Sequence, residues 1–123
     1  MNHKIPYEKR RVVYQAAIEK YGEENQLNKF DEELGEFLTE YGRMRNGEGN
    51  RKKLADELAD LTIMLEQLRM IFGINVLVCQ HMDYKVGRLM RRVKKPRKKS
   101  RPARMAVVQG DTICGETAAT AGE

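Results

Sequence analysis

At 123 residues the chain is long enough for one domain with a modest core and too short for two. One third of its residues are charged, and no run of about eighteen apolar residues occurs, which excludes a membrane-spanning helix. Two cysteines without a C-x-x-C spacing, and two histidines, exclude a disulfide framework and a structural zinc site.

The net charge of +5 is unevenly placed. Residues 1 to 87 hold 13 Lys and Arg against 15 Asp and Glu, whereas residues 88 to 104 hold 10 basic residues and no acid. The basic excess therefore describes a C-terminal segment and not the domain before it. Met1-Asn2-His3-Lys4 leads into no apolar signal-peptide core, so a cytoplasmic protein with no membrane partner is expected.

In chain order, Pro6 suits a first helical turn, and Tyr7, Tyr14, Ala17, Ile18 and Tyr21 form a stripe that Gly22 ends. A second helix is predicted from about Glu23 to Arg45, with Leu27, Phe30, Leu34, Phe37, Leu38 and Tyr41 within roughly 100° of arc. Gly47 and Gly49 break it. Asn50 is placed to cap a third helix, which runs to about Phe72 on Leu54, Leu58, Leu61, Met64, Leu65 and Leu68. After Gly73 a fourth helix starts near Asn75, carries Leu77, His81, Tyr84 and Arg88 on one line, and cannot pass Pro96. Cys79 and His81 are expected to pack inside. Residues 94 to 123, opening KKPRKKSRPAR, contain little that repays the entropy of ordering and are expected to form a mobile tail. The fold expected for residues 1 to 93 is all-α, a four-helix antiparallel bundle-like domain.

Two acidic pairs stand out, Glu33-x-x-Glu36 and Glu57-x-x-Asp60. Each has the i,i+3 spacing that projects both carboxylates from nearly one side of a helix. Most such pairs on a charged chain face solvent. Position relative to the apolar stripe alters the balance: Glu57 falls about 40° from Leu61, inside the stripe, where a carboxylate must be ion-paired, metal-bound or protonated. Glu33 borders the stripe of its own helix, with Glu36 further out, whereas Asp31 and Glu32 are expected to face solvent. Four facing carboxylates repel unless a cation sits among them, and oxygen ligands select a hard cation such as Mg²⁺. A di-iron bundle would require Glu-x-x-His pairs, and none occurs. On the fourth helix His81, Tyr84, Lys85 and Arg88 could meet the oxygens of a polyphosphate or merely solvate a helix end.

FDEELGEF (Phe30 to Phe37) followed by LADELADLTIMLEQL (Leu54 to Leu68) resembles the all-α nucleoside triphosphate pyrophosphohydrolases of the MazG-like kind, whose pattern is E-x-x-E, a spacer, then E-x-x-D. Gln26-x-x-Lys29 upstream and YKVGRLMRR (Tyr84 to Arg92) downstream are also similar, so the resemblance spans roughly residues 7 to 93. It implies Mg²⁺-dependent hydrolysis of a nucleoside triphosphate to monophosphate and pyrophosphate, with Mn²⁺ a possible substitute. Glu33, Glu36, Glu57 and Asp60 would hold the metal, and Glu33 could instead accept the proton of the attacking water. Lys53 is the second catalytic candidate. Lys53, Lys85 and Arg88 would contact phosphates, and Gln26 and Lys29, with Tyr14, would lie on the nucleotide-binding side. Related proteins associate as dimers or tetramers, and a homo-oligomer is expected here. The rival expectation is a helical nucleic-acid-binding module that uses the polybasic tail for weak, salt-sensitive contact with phosphates.

Overall fold

The computed structural model describes residues 4 to 97, and these form four α-helices: α1 Tyr7–Tyr21, α2 Glu23–Arg45, α3 Arg51–Ile71 and α4 Asn75–Lys94. There is no strand among the described residues. The basic tail from residue 98 onward lies outside them.

Each helix boundary has a local cause. Pro6 occupies the N-cap of α1 in an extended conformation, one position before the helical turn the sequence assigns it. Gly22, at φ +90°, ends α1 and starts α2 without an intervening residue. α2 closes with Gly47 at φ +79°, where Gly47 N–H bonds Met44 O (3.1 Å) and Glu48 N–H bonds Arg43 O (2.9 Å). This paired bonding satisfies carbonyls the helix end would otherwise leave unmet. α3 ends in the same way at Gly73, φ +64°, through Gly73 N–H to Met70 O and Ile74 N–H to Arg69 O. At the α3 N-terminus the Asn50 side chain accepts from Lys53 N–H at 3.1 Å, the expected cap.

α2 and α3 form the most extensive helix pair, and α1 packs against both. Among the described residues, the buried apolar side chains are Tyr14, Ile18, Leu61 and Met64. An equal set of polar residues is buried with them: Gln26, Glu33, Glu40 and Gln67. The predicted stripe of α2 is therefore only partly enclosed. Leu27, Phe30, Leu34 and Phe37 are half-buried, and Leu38 and Tyr41 are exposed. The deepest line of α2 is the polar border of that stripe.

α4 departs from the antiparallel bundle the helix count predicts. Its axis bends 117° from that of α3, and among the described residues it contacts α3 and no other helix and has no buried residue. Arg69 bridges the bend, donating to Asn75 Oδ1 at 3.4 Å and lying 3.8 Å from Met82 Sδ. Cys79 and His81, expected inside, are exposed because, among the described residues, α4 is contacted by α3 and by no other helix. No single helix among the described residues is long and apolar enough to cross a membrane.

The α2 to α3 loop tests how the hairpin is fixed. A Cβ on Gly49 would lie 2.6 Å from Met44 Cα, whereas one on Gly42 meets nothing within 4 Å. Gly49→Ala is expected to cost about 1–3 kcal/mol through backbone displacement, and Gly42→Ala to gain about 0.5–1 kcal/mol from helix propensity. Urea unfolding of the two variants measures both.

Candidate metal centre

The buried polar residues of α2 recur at positions 26, 33 and 40, and the polar residues facing them on α3 are buried Gln67, half-buried Asp60 and exposed Lys53. This seven-residue spacing keeps one side of each helix turned to the other. The outer layers are chemically matched. Gln26 Nε2 donates to Gln67 Oε1 at 2.6 Å, and Gln67 Nε2 reaches Met64 Sδ at 3.9 Å. At the opposite end Glu40, buried, pairs with Lys53 Nζ at 3.5 Å across the helices and with Arg43 at 3.9 Å.

The middle layer is not matched. Glu33 faces Asp60, and one turn further Glu36 faces Glu57. Oxygens of Glu33, Glu36 and Glu57 all lie within 4.8 Å of one another. Glu33 is 5 % exposed, Glu57 and Asp60 are half-buried, and Glu36 is exposed. A cation approaches from the rim: Lys29 Nζ sits 3.0 Å from Glu33 Oε1 and 3.2 Å from Glu32, and hydrogen bonds to the two carboxylates, then their charges, raise its pKa to about 12. Glu33 Oε2 and Glu57 Oε2 are buried and have no hydrogen-bond partner. A buried carboxylate oxygen without a partner is costly, and these two belong to the same cluster.

The electrostatics follow. Burial is the largest cause raising the Glu57 pKa, followed by the charge of Glu36, a hydrogen bond with it, and the charges of Asp56 and Asp60. Asp60 is also raised, first by burial, then by the charges of Glu33 and Asp56, with Lys29 opposing. Both acids hold their protons more tightly than in the unfolded chain.

α1 is held to α3 through Tyr14, which the resemblance puts on the nucleotide-binding side, and through Arg10 and Glu66, which it does not single out. Tyr14 Oη donates to Glu66 Oε1, and Arg10 approaches both Glu66 oxygens at 3.4 and 3.5 Å. Burial and the neighbouring Glu66 carboxylate push the Tyr14 hydroxyl up to about 12. Tyr14 is thus committed to anchoring α1 on α3. The signal for Glu40 and Gln67 was the seven-residue repeat itself, whereas Glu66 had no sequence signal beyond its charge.

Of the expected site residues, Glu33, Glu36 and Glu57 converge, and Asp60 stands beside Glu33 outside the group of three. Lys29 joins them through Glu33. Gln26 and Lys53 lie on the same seam but are engaged by Gln67 and Glu40. Lys85 and Arg88 are not brought to the carboxylates: Glu57 lies about 20 Å along α3 from its C-terminal end, and α4 leaves from that end without touching α2. Arg88 instead lies over the Tyr84 ring, 5.8 Å from its centroid. Asp31 and Glu32 are exposed, as expected.

The donor set fits a hard divalent cation. It consists of carboxylate oxygens only, two of them buried and unpaired, at separations one ion can bridge. No protein-family model matches the chain, and neither a curated protein nor a solved structure does.

The raised acids give a sign to the pH dependence. Their ordinary values are 4.5 for Glu57 and 3.8 for Asp60, and the folded values lie above these. Their contribution to stability is therefore full below the ordinary values and is lost as pH rises through the folded ones. In chelator-treated protein, Glu57→Gln is expected to raise Tm near about pH 7, with the gain shrinking toward about pH 4. Thermal melts across that range decide it, and a Tm lowered by the substitution would mean that Glu57 is held in an ion pair.

Proposed function

We propose that the α2 and α3 carboxylates bind Mg²⁺ and that the protein is a nucleoside triphosphate pyrophosphohydrolase, releasing pyrophosphate and a nucleoside monophosphate. The observation that carries the cation is the pair of buried, partnerless oxygens, Glu33 Oε2 and Glu57 Oε2, in one cluster with Glu36. The reaction rests on the order E-x-x-E, spacer, E-x-x-D, which resembles the MazG-like pattern.

A bound divalent cation supplies positive charge to a triphosphate and acidifies water. The chain's own residues account for the rest. Glu33, Glu36 and Glu57 are the ligands, Mg²⁺ being the expected ion and Mn²⁺ a substitute. Lys29 engages Glu33 Oε1 and leaves Oε2 buried and without a hydrogen-bond partner. Asp60 remains outside the three and is the acid we assign to accept a proton, a role the sequence alone gave to Glu33. The change has a physical reason: Glu33 is already engaged by Lys29 and by its place in the cluster. Lys53 lies one turn beyond Glu57 and can serve a phosphate only by leaving Glu40. Lys85 and Arg88 take no part in this single-chain site.

The test is pyrophosphate release over a panel of ribo- and deoxyribonucleoside triphosphates with and without Mg²⁺. Activity that requires the metal and falls at least about 100-fold in Glu57→Gln is expected. Full activity of Glu57→Gln on every accepted substrate would remove Glu57 from the site. Lys85→Ala is expected to retain the wild-type rate, since its helix is remote from the acids.

A further inference from the structure

Glu40 is a buried carboxylate outside the metal cluster, 6 % exposed. Two cations reach one oxygen of it: Lys53 Nζ from α3 lies 3.5 Å from Oε2, and Arg43 Nε from α2 lies 3.9 Å away. Both cationic side chains are more than half exposed, whereas the carboxylate they share is not. A buried charge must keep a cation, and one is enough. Glu40 therefore has a partner to spare.

The two cations differ in what else they can do. Arg43 is three residues from Glu40 on the same helix, so it stays beside Glu40 however α2 and α3 move. At 3.9 Å it stands beyond hydrogen-bond distance, and its planar fork of donors has room to close on Oε2. Lys53 comes across the seam on a flexible four-carbon stem. It lies one helical turn before Glu57, and it lines an open cavity of about 540 Å³ with Asn50, Lys52, Ala55 and Asp56. Lys53 is thus the partner placed to turn from Glu40 toward a ligand held at the carboxylates.

We propose that Arg43 is a positioning residue: it takes over Glu40 when Lys53 swings to the phosphate oxygens of a bound triphosphate, so that the transfer leaves no buried charge unpaired. The handover rests on the reaction proposed above and names the residue that makes Lys53 available to it. Gln26 and Gln67 keep the far end of the seam fastened while the Glu40 to Lys53 pair is open.

Thermal melts of the full chain after chelator treatment read the spare partner. Arg43→Gln and Lys53→Gln are each expected to lower Tm, and the double variant to lower it by more than the two losses added, because only there is Glu40 stripped of both cations. Glu40→Gln placed in the double variant is expected to restore most of that loss. Additive losses would overturn the shared role.

Hydrolysis kinetics with Mg²⁺ read the handover. Arg43→Gln is expected to raise KM for an accepted triphosphate at least about fivefold and to keep kcat within about twofold of wild type, because Glu40 then retains Lys53. Arg43→Lys, and Glu40→Gln placed in the Arg43→Gln chain, are expected to return KM to the wild-type value. Hydrolysis whose KM none of these variants moves would overturn the handover and leave the reaction standing. A wild-type chain that releases no pyrophosphate from any triphosphate would remove the reaction and the handover together.

Discussion

The register between α2 and α3 is the constraint on which the other features depend. Gln26 with Gln67, Glu33 beside Asp60, Glu36 against Glu57 and Glu40 with Lys53 are four levels of one antiparallel contact. A slip of one residue on either helix would rotate the polar line by about 100° and separate all four at once. The outer levels set this register with matched partners, an amide pair at one end and a cross-helix ion pair at the other. Between them the chain places carboxylate against carboxylate, with Lys29 at the rim, 3.0 Å from Glu33. Repulsion in the middle is thus tolerated because the ends are fastened.

The fastening is local as well as tertiary. Gly47 in the left-handed region, Gly49 against the Met44 backbone and the Asn50 cap fix where α3 begins relative to where α2 stops. From the other side, Tyr14 and Arg10 clasp Glu66 and hold α1 over the pair. Burial is the largest cause of the raised pKa values of Glu57 and Asp60. The raised pKa values of Glu57 and Asp60 mean that their ionised forms cost stability in the folded chain.

Much of the architecture was legible in the sequence because its causes are local. Glycines at 22, 47 and 73 and the Asn50 cap mark the helix ends to within one residue. The acidic pairs were legible from their i,i+3 spacing, and the stripe of α2 placed Asp31 and Glu32 toward solvent, as found; Glu33, at the border of that stripe, is nevertheless buried more deeply than Glu57, which falls inside the stripe of α3. What the sequence did not disclose was pairing across helices. Gln26 and Lys53 looked available for substrate, but each has a partner 41 or 13 positions away that only the register supplies. The direction of α4 was equally hidden, since its amphipathic pattern is the same whether a helix packs in a bundle or projects from it. The seven-residue repeat of polar residues was the one long-range signal present, and it marks the seam more directly than the apolar stripe does.

The central claim is that three carboxylates on two helices share one divalent cation. Titration of the chelator-treated chain with Mn²⁺, followed by electron paramagnetic resonance of the free ion, tests it without reference to any substrate. Saturable binding by the wild type, weakened at least about tenfold in both Glu33→Gln and Glu57→Gln, is the predicted result. Unchanged Mn²⁺ binding in both variants would contradict the account and leave the cluster as a set of buried acids with no ion to hold them together.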